Sequence, residues 1–113
     1  MFIIDNEITN NELKEIAKTI FGDMIKAVVD IEREIIAADA ELHADLEAYL
    51  LETGSNQKKL WGVNFYPEMD EEDFLEFDSM INIRPSQNNR SRGVEDEQIR
   101  NQIINLVQKR IKR

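Results

Sequence analysis

Apolar residues recur at a helical period near both ends of the chain. Near the start, Thr9-Asn-Asn-Glu12 matches a capping box, and the apolar positions after it follow every three or four residues as far as Gly22. Near the end, Glu95-Asp-Glu97 precedes a second apolar stripe, and four of the last five residues are basic. Acidic residues at the start of a helix and basic residues at its end stabilise it. The pattern therefore predicts an N-terminal and a C-terminal helix.

Three shorter segments have patterns typical of strands. Phe2-Ile-Ile4 is a short apolar run, and Leu60–Tyr66 is rich in aromatic and β-branched residues. Residues 75–83 alternate between apolar and polar side chains, and Pro85 follows them. We predict a strand at each of these segments.

Residues 24–50 are compatible with two structures. Two runs that alternate apolar and polar residues flank Ala37–Ala40, which predicts a hairpin. The Ala and Glu content of the same residues favours a continued helix. We favour the hairpin, so the predicted order is β-α-β-β-β-β-α. This is an α+β fold, in which an antiparallel sheet of about four to five strands packs with an N-terminal and a C-terminal helix.

Composition limits the classes of protein to consider. A chain of 113 residues with 42% hydrophobic residues is typical of a single domain, here residues 1–113. The chain has no cysteine, so disulfides, thiol catalysis and cysteine-ligated zinc are excluded. No signal peptide and no apolar run long enough for a bilayer is evident. We therefore expect a cytoplasmic protein that does not enter membranes.

Charge is divided unevenly along the chain. Residues 1–78 carry 6 basic and 20 acidic side chains, a net charge of −14, whereas residues 79–113 carry 8 and 3, a net charge of +5. This asymmetry suggests self-association or an anionic small ligand, and it equally fits a basic segment packed on its own acidic body. The sequence pI near 4.6 argues against nucleic acid as the partner.

The predicted hairpin creates a candidate metal site. If its turn lies within Ala37–Ala40, acidic side chains of the two strands face each other and the only histidine lies among them. Opposed carboxylates repel unless a cation, a basic partner or water separates them. Oxygen ligands suit Mg²⁺, Mn²⁺ or Ca²⁺, and a histidine favours a transition metal. The candidate ligands of a divalent cation are Asp30, Glu32, His43, Asp45 and Glu47.

The segment Ser79–Arg92 is a second candidate site. It joins two apolar elements, and it is rich in Ser, Asn, Gln and Arg. Guanidinium groups bind carboxylate or phosphate with two hydrogen bonds, and side-chain amides add directed donors and acceptors. Alternatively, its arginines pair with the protein's own acidic residues. The candidate ligand-binding residues are Asn82, Arg84, Gln87, Asn89, Arg90 and Arg92.

These two sites give two functional hypotheses, and the residues leave open whether the protein is an enzyme. Common catalytic and nucleotide-binding motifs are absent. We therefore favour a non-enzymatic binding or interaction protein that uses residues 79–92. The alternative is a hydrolase or phosphotransfer enzyme whose divalent metal lies on the acidic hairpin face.

Several blocks of the chain resemble an uncharacterised family of small prokaryotic proteins that is classed as a domain of unknown function. The blocks are Glu41–Glu47, Gly54-Ser55, Leu60–Asn64, Tyr66-Pro67 and Phe77–Ser91. The resemblance implies no activity, cofactor or catalytic residue. Members have Gly-Gly in place of Asp39-Ala40, which implies a turn there.

Overall fold

A five-stranded antiparallel sheet forms the middle layer of the protein in this computed structural model, which describes residues 1–113. Its strand order is β1-β4-β3-β5-β6, and β2 and β7 form a separate parallel pair. The elements are β1 (Phe2–Ile4), β2 (Ile8–Thr9), α1 (Asn10–Ala17), β3 (Ile25–Asp30), β4 (Ile35–Ala38), α2 (His43–Glu52), β5 (Leu60–Phe65), β6 (Leu75–Glu76), α3 (Glu97–Arg110) and β7 (Ile111–Lys112). The predicted α+β class, the antiparallel sheet and the two terminal helices are therefore confirmed.

Helices α1 and α3 cover one face of the sheet. Thr9 caps α1 by accepting a hydrogen bond from the Glu12 amide at 3.1 Å, and Asp96 caps α3 by accepting from the Gln98 amide at 2.8 Å. The larger core cluster lies below these helices and includes Leu13, Ala27, Val29, Trp61, Val63, Phe65, Ile103 and Leu106. None of the three helices combines the length and the apolar composition needed to cross a bilayer.

Helix α2 covers the opposite face of the sheet, so the central strands are buried on both sides. Leu46 and Leu50 lie one turn apart on α2 and pack with Val28, Ala37 and Leu60 in a second core cluster. A second hairpin strand was favoured for these residues, and the helical alternative is the correct one for His43–Glu52. Its strand-like alternation of small apolar and acidic residues also places Leu46 and Leu50 on one helical face, and Ala, Leu and Glu favour helix.

The predicted hairpin is wrong in its turn and in its second strand, and a different hairpin forms within residues 25–38. Strands β3 and β4 pair with Ala27 opposite Ala38 and Asp30 opposite Ile35, so the turn lies at residues 31–34. The Asp30 carboxylate stabilises this earlier turn, since its Oδ1 accepts from the Glu32 and Arg33 amides, each at 2.9 Å. Asp39 has φ +74° at the end of β4, where the resemblance implied a turn. The chain then enters α2 and forms no further strand there.

Candidate functional site

One side-chain amide of the polar segment Ser79–Arg92 pairs with the free edge of β5. Strand β6 pairs only with Asn64 and Phe65, and the predicted strand over residues 75–83 is wrong beyond Glu76. Farther along β5, Asn82 Oδ1 accepts from the Gly62 amide at 2.8 Å, and Asn82 Nδ2 donates to the Gly62 carbonyl at 2.9 Å. A side-chain amide presents an N–H donor beside a C=O acceptor, as the backbone does, so fully buried Asn82 takes the place of a paired strand residue.

Arg84 is likewise occupied by the protein's own backbone. Its guanidinium donates to the carbonyls of Leu60, of Ile81 at 3.1 Å and of Gln57 at 2.7 Å. The same group lies 4.4 Å above the centre of the Trp61 ring. Burial lowers the pKa of Arg84, although a guanidinium stays charged at neutral pH. Arg84 therefore joins two chain segments and is not free to bind an anion.

Asn89 closes the loop that follows. Its Nδ2 donates to the carbonyls of Asn82 at 2.7 Å and of Gly93 at 2.8 Å, and its Oδ1 accepts from the Glu95 amide at 2.9 Å. Asn89 is 3% exposed, so these bonds satisfy backbone groups that water does not reach. Asn89 thus holds the loop in its shape.

The remaining candidates of the segment differ in their surroundings. Gln87 accepts a hydrogen bond from Arg84 at 3.1 Å, and Arg92 pairs with the Asp78 carboxylate at 2.6 Å. The Arg90 side chain is exposed and forms neither a hydrogen bond nor an ion pair. The structure thus brings the six predicted residues into one region, but all except Arg90 are bound to the protein itself.

The proposed metal ligands lie on separate elements. Asp30 is fully buried, and besides the two turn amides its carboxylate accepts from Ser55 Oγ at 2.6 Å. Glu32 lies in the turn after it. The other three candidates, His43, Asp45 and Glu47, lie on α2. No group of three or more His, Cys, Asp or Glu side chains is arranged to hold a metal ion. The five predicted ligands therefore do not form a metal site.

A cleft of about 390 Å³ lies between the start of α2 and the β5–β6 edge of the sheet, and we call it the His43 cleft. It contains both charge signs together with neutral polar groups. Its charged and strongly polar lining residues are Lys26, His43, Asn64, Glu76, Asp78 and Arg92. Two of these, His43 and Arg92, were singled out from the sequence, but for other roles.

Three of these residues form a row across the sheet. Lys26 on β3 is paired in register with Asn64 on β5, which is paired in turn with Glu76 on β6. Directly opposed residues place their Cβ atoms about 5 Å apart, so Lys26 and Glu76 lie on either side of Asn64. Neither Lys26 nor Glu76 takes part in an ion pair. The row therefore presents a cation and an anion without counter-ions. Lys26 Nζ lies 5.5 Å from the centre of the Phe21 ring, and Glu76 Oε1 accepts from the Tyr66 hydroxyl at 3.1 Å.

Asn64, in the middle of the row, has an acceptor without a partner. Its Nδ2 donates to Glu76 Oε1 at 2.8 Å and to the Asp78 carbonyl at 3.2 Å. Both partners are acceptors, so the nitrogen must face them and the orientation of the amide is fixed. Oδ1 is buried and has no hydrogen bond. Two other buried atoms also lack partners, Asn10 Oδ1 and Trp61 Nε1, but neither residue lines the cleft.

His43 forms the cleft wall at the first turn of α2. Its Nε2 lies 2.9 Å from the Val63 carbonyl, which only accepts, so the proton is on Nε2 and the neutral ring keeps a lone pair on Nδ1. Burial lowers the pKa of His43, and the charge of Lys26 lowers it further, whereas the Val63 carbonyl, the Asn64 side chain and the Asp78 carboxylate oppose this decrease. The ring is therefore neutral at pH 7.

Gly62 connects the polar segment with the cleft. Ser79, which lines the cleft, lies directly against the Gly62 backbone. A Cβ atom at Gly62 would come within 2.5 Å of Ser79 Cβ and 2.6 Å of Ser79 Oγ. Only glycine permits this close approach, so the position of the cleft wall depends on this one missing side chain.

Lys26, Asn64 and Glu76 were not predicted from the sequence as site residues. One signal was available for Asn64, because it is the single strongly polar residue in the apolar run Leu60–Phe65. A polar residue in a strand that is buried on both faces must find partners or line a site. Lys26 and Glu76 gave no such signal, since charged residues at alternating positions usually face solvent.

Comparison with known proteins gives a family without an activity. The model of a family described as Protein of unknown function (DUF5674) matches residues 2–110. Neither a curated protein nor a solved structure matches the chain. The function of the chain must therefore be inferred from the geometry of the site.

Proposed function

We propose that this chain, which belongs to that family of proteins of unknown function, binds a small amphoteric molecule in the His43 cleft. The observation that carries the proposal is the row of Lys26, Asn64 and Glu76, where two charges without counter-ions flank a buried acceptor that lacks a partner. A buried polar atom without a hydrogen bond costs about 1 to 3 kcal/mol. A ligand that supplies a donor there gains that stabilisation.

The charges of the row define the ligand. Lys26 attracts an acidic group, whereas Glu76 and Asn64 Oδ1 attract an ammonium or amide donor. The sequence predicted an anionic ligand bound by the arginines of Ser79–Arg92. We retain the anionic group and propose Lys26 as its partner. Free amino acids and dipeptides are the simplest molecules that carry both groups.

The rim of the cleft adds an apolar requirement. Leu42 is 56% exposed and Met80 is 65% exposed, and both line the cleft beside Met24. Exposed apolar side chains around a polar floor are typical of sites for ligands with an apolar part. We therefore propose an amino acid or dipeptide with an apolar side chain.

The residues of the cleft support binding of a ligand without catalysis. The metal-dependent alternative relied on stacked carboxylates across a hairpin, and those pairs do not form. Within the polar segment, the amides that bind the backbone support a structural role, and Ser79, Met80, Ile81 and Arg92 reach the cleft.

The test is a ligand titration followed by ¹H–¹⁵N NMR. The panel contains free amino acids with apolar side chains and dipeptides of them, each beside its N-acetyl and C-terminal amide derivative. We expect the parent compounds to shift the resonances of Lys26, Asn64 and Glu76 at millimolar concentration, and each blocked derivative to bind more weakly. If no member of the panel shifts these resonances, the proposal is wrong.

Two conservative variants assign the charges. Lys26→Met should weaken binding of the free acid by about five-fold and leave the C-terminal amide unaffected, because a surface ion pair contributes at most about 1 kcal/mol. Glu76→Gln keeps an acceptor for Asn64 and should reduce selectivity for the free amine. Lys58→Met and Glu32→Gln are matched exposed controls outside the cleft. If the control variants lose as much affinity as the cleft variants, the net charge of the protein and not these two residues determines binding.

We also propose a cytoplasmic location. A chain without cysteine gains nothing from an oxidising compartment, and free amino acids and dipeptides are abundant metabolites inside cells. Fractionation of cells that produce the tagged protein would test this, and recovery with the membrane or secreted fraction would contradict it.

A further inference from the structure

A second concave surface lies on the other face of the sheet, against α3. It has a volume of about 290 Å³ and runs beside β6, the edge strand. Its apolar lining residues are Phe74, Leu75, Phe77, Ile104, Val107 and Ile111. We call this surface, together with the adjacent loop Glu68–Asp73, the acidic groove.

The floor of the acidic groove is apolar. Phe74 is 4% exposed and stacks on Phe65 of the core, with the ring centres 5.4 Å apart. Leu75, Phe77 and Ile104 are half-buried along its sides. Such a floor offers hydrophobic contact to a ligand.

The rim of the groove is strongly negative. The loop Glu68–Asp73 has five carboxylates in six residues, all of them exposed. None of the five forms an ion pair or a side-chain hydrogen bond with the rest of the chain. Glu71 and Glu72 line the groove itself. The field of this loop therefore attracts cations to an apolar surface.

One basic residue of the chain already uses this surface. The Arg113 guanidinium lies 4.6 Å above the centre of the Phe74 ring and donates to the Met69 carbonyl at 2.7 Å. A cation can thus stack on the aromatic floor while it hydrogen-bonds the acidic loop. A longer basic segment would make the same two contacts, one with the aromatic ring and one with the loop carbonyl.

The other C-terminal cations do not neutralise the loop. Lys109 pairs with Glu34 at 2.7 Å, and Lys112 pairs with Glu7 at 3.4 Å. Arg110 donates to the Glu34 carbonyl at 3.0 Å. A second copy of this chain would therefore have to give up its own contacts before its C-terminal cations reached the groove.

We propose that the acidic groove docks a basic segment of a partner protein, in which one or two apolar side chains lie between Lys or Arg residues. The apolar side chains contact Leu75, Phe77 and Ile104. One basic side chain takes the place of Arg113 above Phe74, and the other basic side chains approach the carboxylates of the loop. This site is separate from the His43 cleft, so the two proposals stand or fall independently.

The test is a titration of the ¹⁵N-labelled protein with three synthetic peptides of equal length. The first alternates Lys with Leu and Phe, the second replaces Lys by Glu, and the third replaces the apolar residues by Ser. We expect only the first to shift the resonances of Phe74, Phe77 and Ile104, and we expect higher salt to weaken it. No shift at these residues, or equal shifts with the Ser peptide, would overturn the proposal.

Two pairs of surface variants complete the test. Glu71→Gln with Glu72→Gln should weaken the first peptide by about five-fold, because each exposed charge contributes less than about 1 kcal/mol. Glu32→Gln with Glu41→Gln removes the same charge elsewhere and should leave the affinity unchanged. Equal losses in the two pairs would overturn the proposal. So would a concentration-dependent dimer that shifts the groove resonances and excludes the peptide, since a second copy would then be the occupant.

Discussion

The polar segment Ser79–Arg92 and the His43 cleft lie side by side, and both are rich in polar side chains, but they differ in whether their polar atoms have partners. In the segment, Asn82 and Asn89 use their side-chain amides to satisfy backbone groups. In the cleft, Asn64 Oδ1 has no partner, and Lys26 and Glu76 have no counter-ion. An accumulation of polar residues therefore indicates a site only when their hydrogen-bonding capacity is left over.

The difference arises at one place in the sheet. Strand β6 ends after two residues, so the next part of the β5 edge must be paired by something else. The Asn82 amide at Gly62 and the Arg84 guanidinium at Leu60 take the place of a strand there, so these groups have no capacity left for a ligand. Where β6 does pair, at Asn64, the backbone supplies the hydrogen bonds of the strand and the side-chain Oδ1 is left for the cleft.

The largest expected effect comes from Asn82→Ala. This substitution leaves Gly62 with an unpaired amide and carbonyl and also removes a bond of 2.9 Å to the Arg92 carbonyl. We expect the free energy of unfolding to fall by about 3 to 5 kcal/mol, measured by urea denaturation, because each unsatisfied buried group costs about 1 to 3 kcal/mol.

Arg90→Ala is the matched control in the same segment. Its side chain is exposed and has no partner, so we expect a change within about 0.5 kcal/mol. Similar losses for the two variants would contradict the distinction between occupied and unoccupied polar groups.

A smaller effect is expected from Gly62→Ala, which tests the connection between the two regions. The new Cβ would clash with Ser79, and overpacking of this kind costs about 1 to 3 kcal/mol in unfolding free energy. Because Ser79 lines the cleft, the NMR resonances of Asn64 and His43 should also shift.

The second variant in this series adds Ser79→Gly to Gly62→Ala. It removes the atoms that clash and should recover part of the lost stability. If the double variant is as unstable as the sum of the single variants, the close approach of Gly62 and Ser79 does not limit this part of the structure.

The smallest expected effect is the pH dependence due to His43. Its folded pKa lies below that of an unfolded histidine, chiefly because of burial, so the unfolded state binds more protons below about pH 6.5. The contribution of His43 is thus present above the unfolded pKa and decreases as the pH falls towards the folded pKa. NMR titration of the ring should give a midpoint below that of a free histidine.

His43→Gln is the control for the pH experiment, because its amide can donate to Val63 but does not titrate. Wild type should lose more unfolding free energy than this variant between pH 7.5 and pH 5.5. Parallel losses would show that other groups cause the pH dependence and that His43 is not held neutral by the fold.

Sequence reasoning succeeded where local chemistry decides the structure. The Thr9 cap and its apolar stripe predicted α1, the acidic start and basic end predicted α3, and the aromatic and β-branched run predicted β5. It failed at Leu42–Leu50, where the same residues satisfy a strand period and a helix period. The choice there depends on whether Leu46 and Leu50 find a common surface, and that surface is the outer face of β3, β4 and β5.

By itself, the sequence determined the fold class, the terminal helices and the concentration of polar groups at Ser79–Arg92, because caps, periodicity and composition act over a few residues. Only the tertiary structure decided which polar groups are left unpaired. That outcome depends on β6 ending after two residues and on the register that aligns Lys26, Asn64 and Glu76. Hydrogen-bond partners are supplied by residues distant in the chain, and no local pattern reveals whether an amide faces a backbone or a cleft.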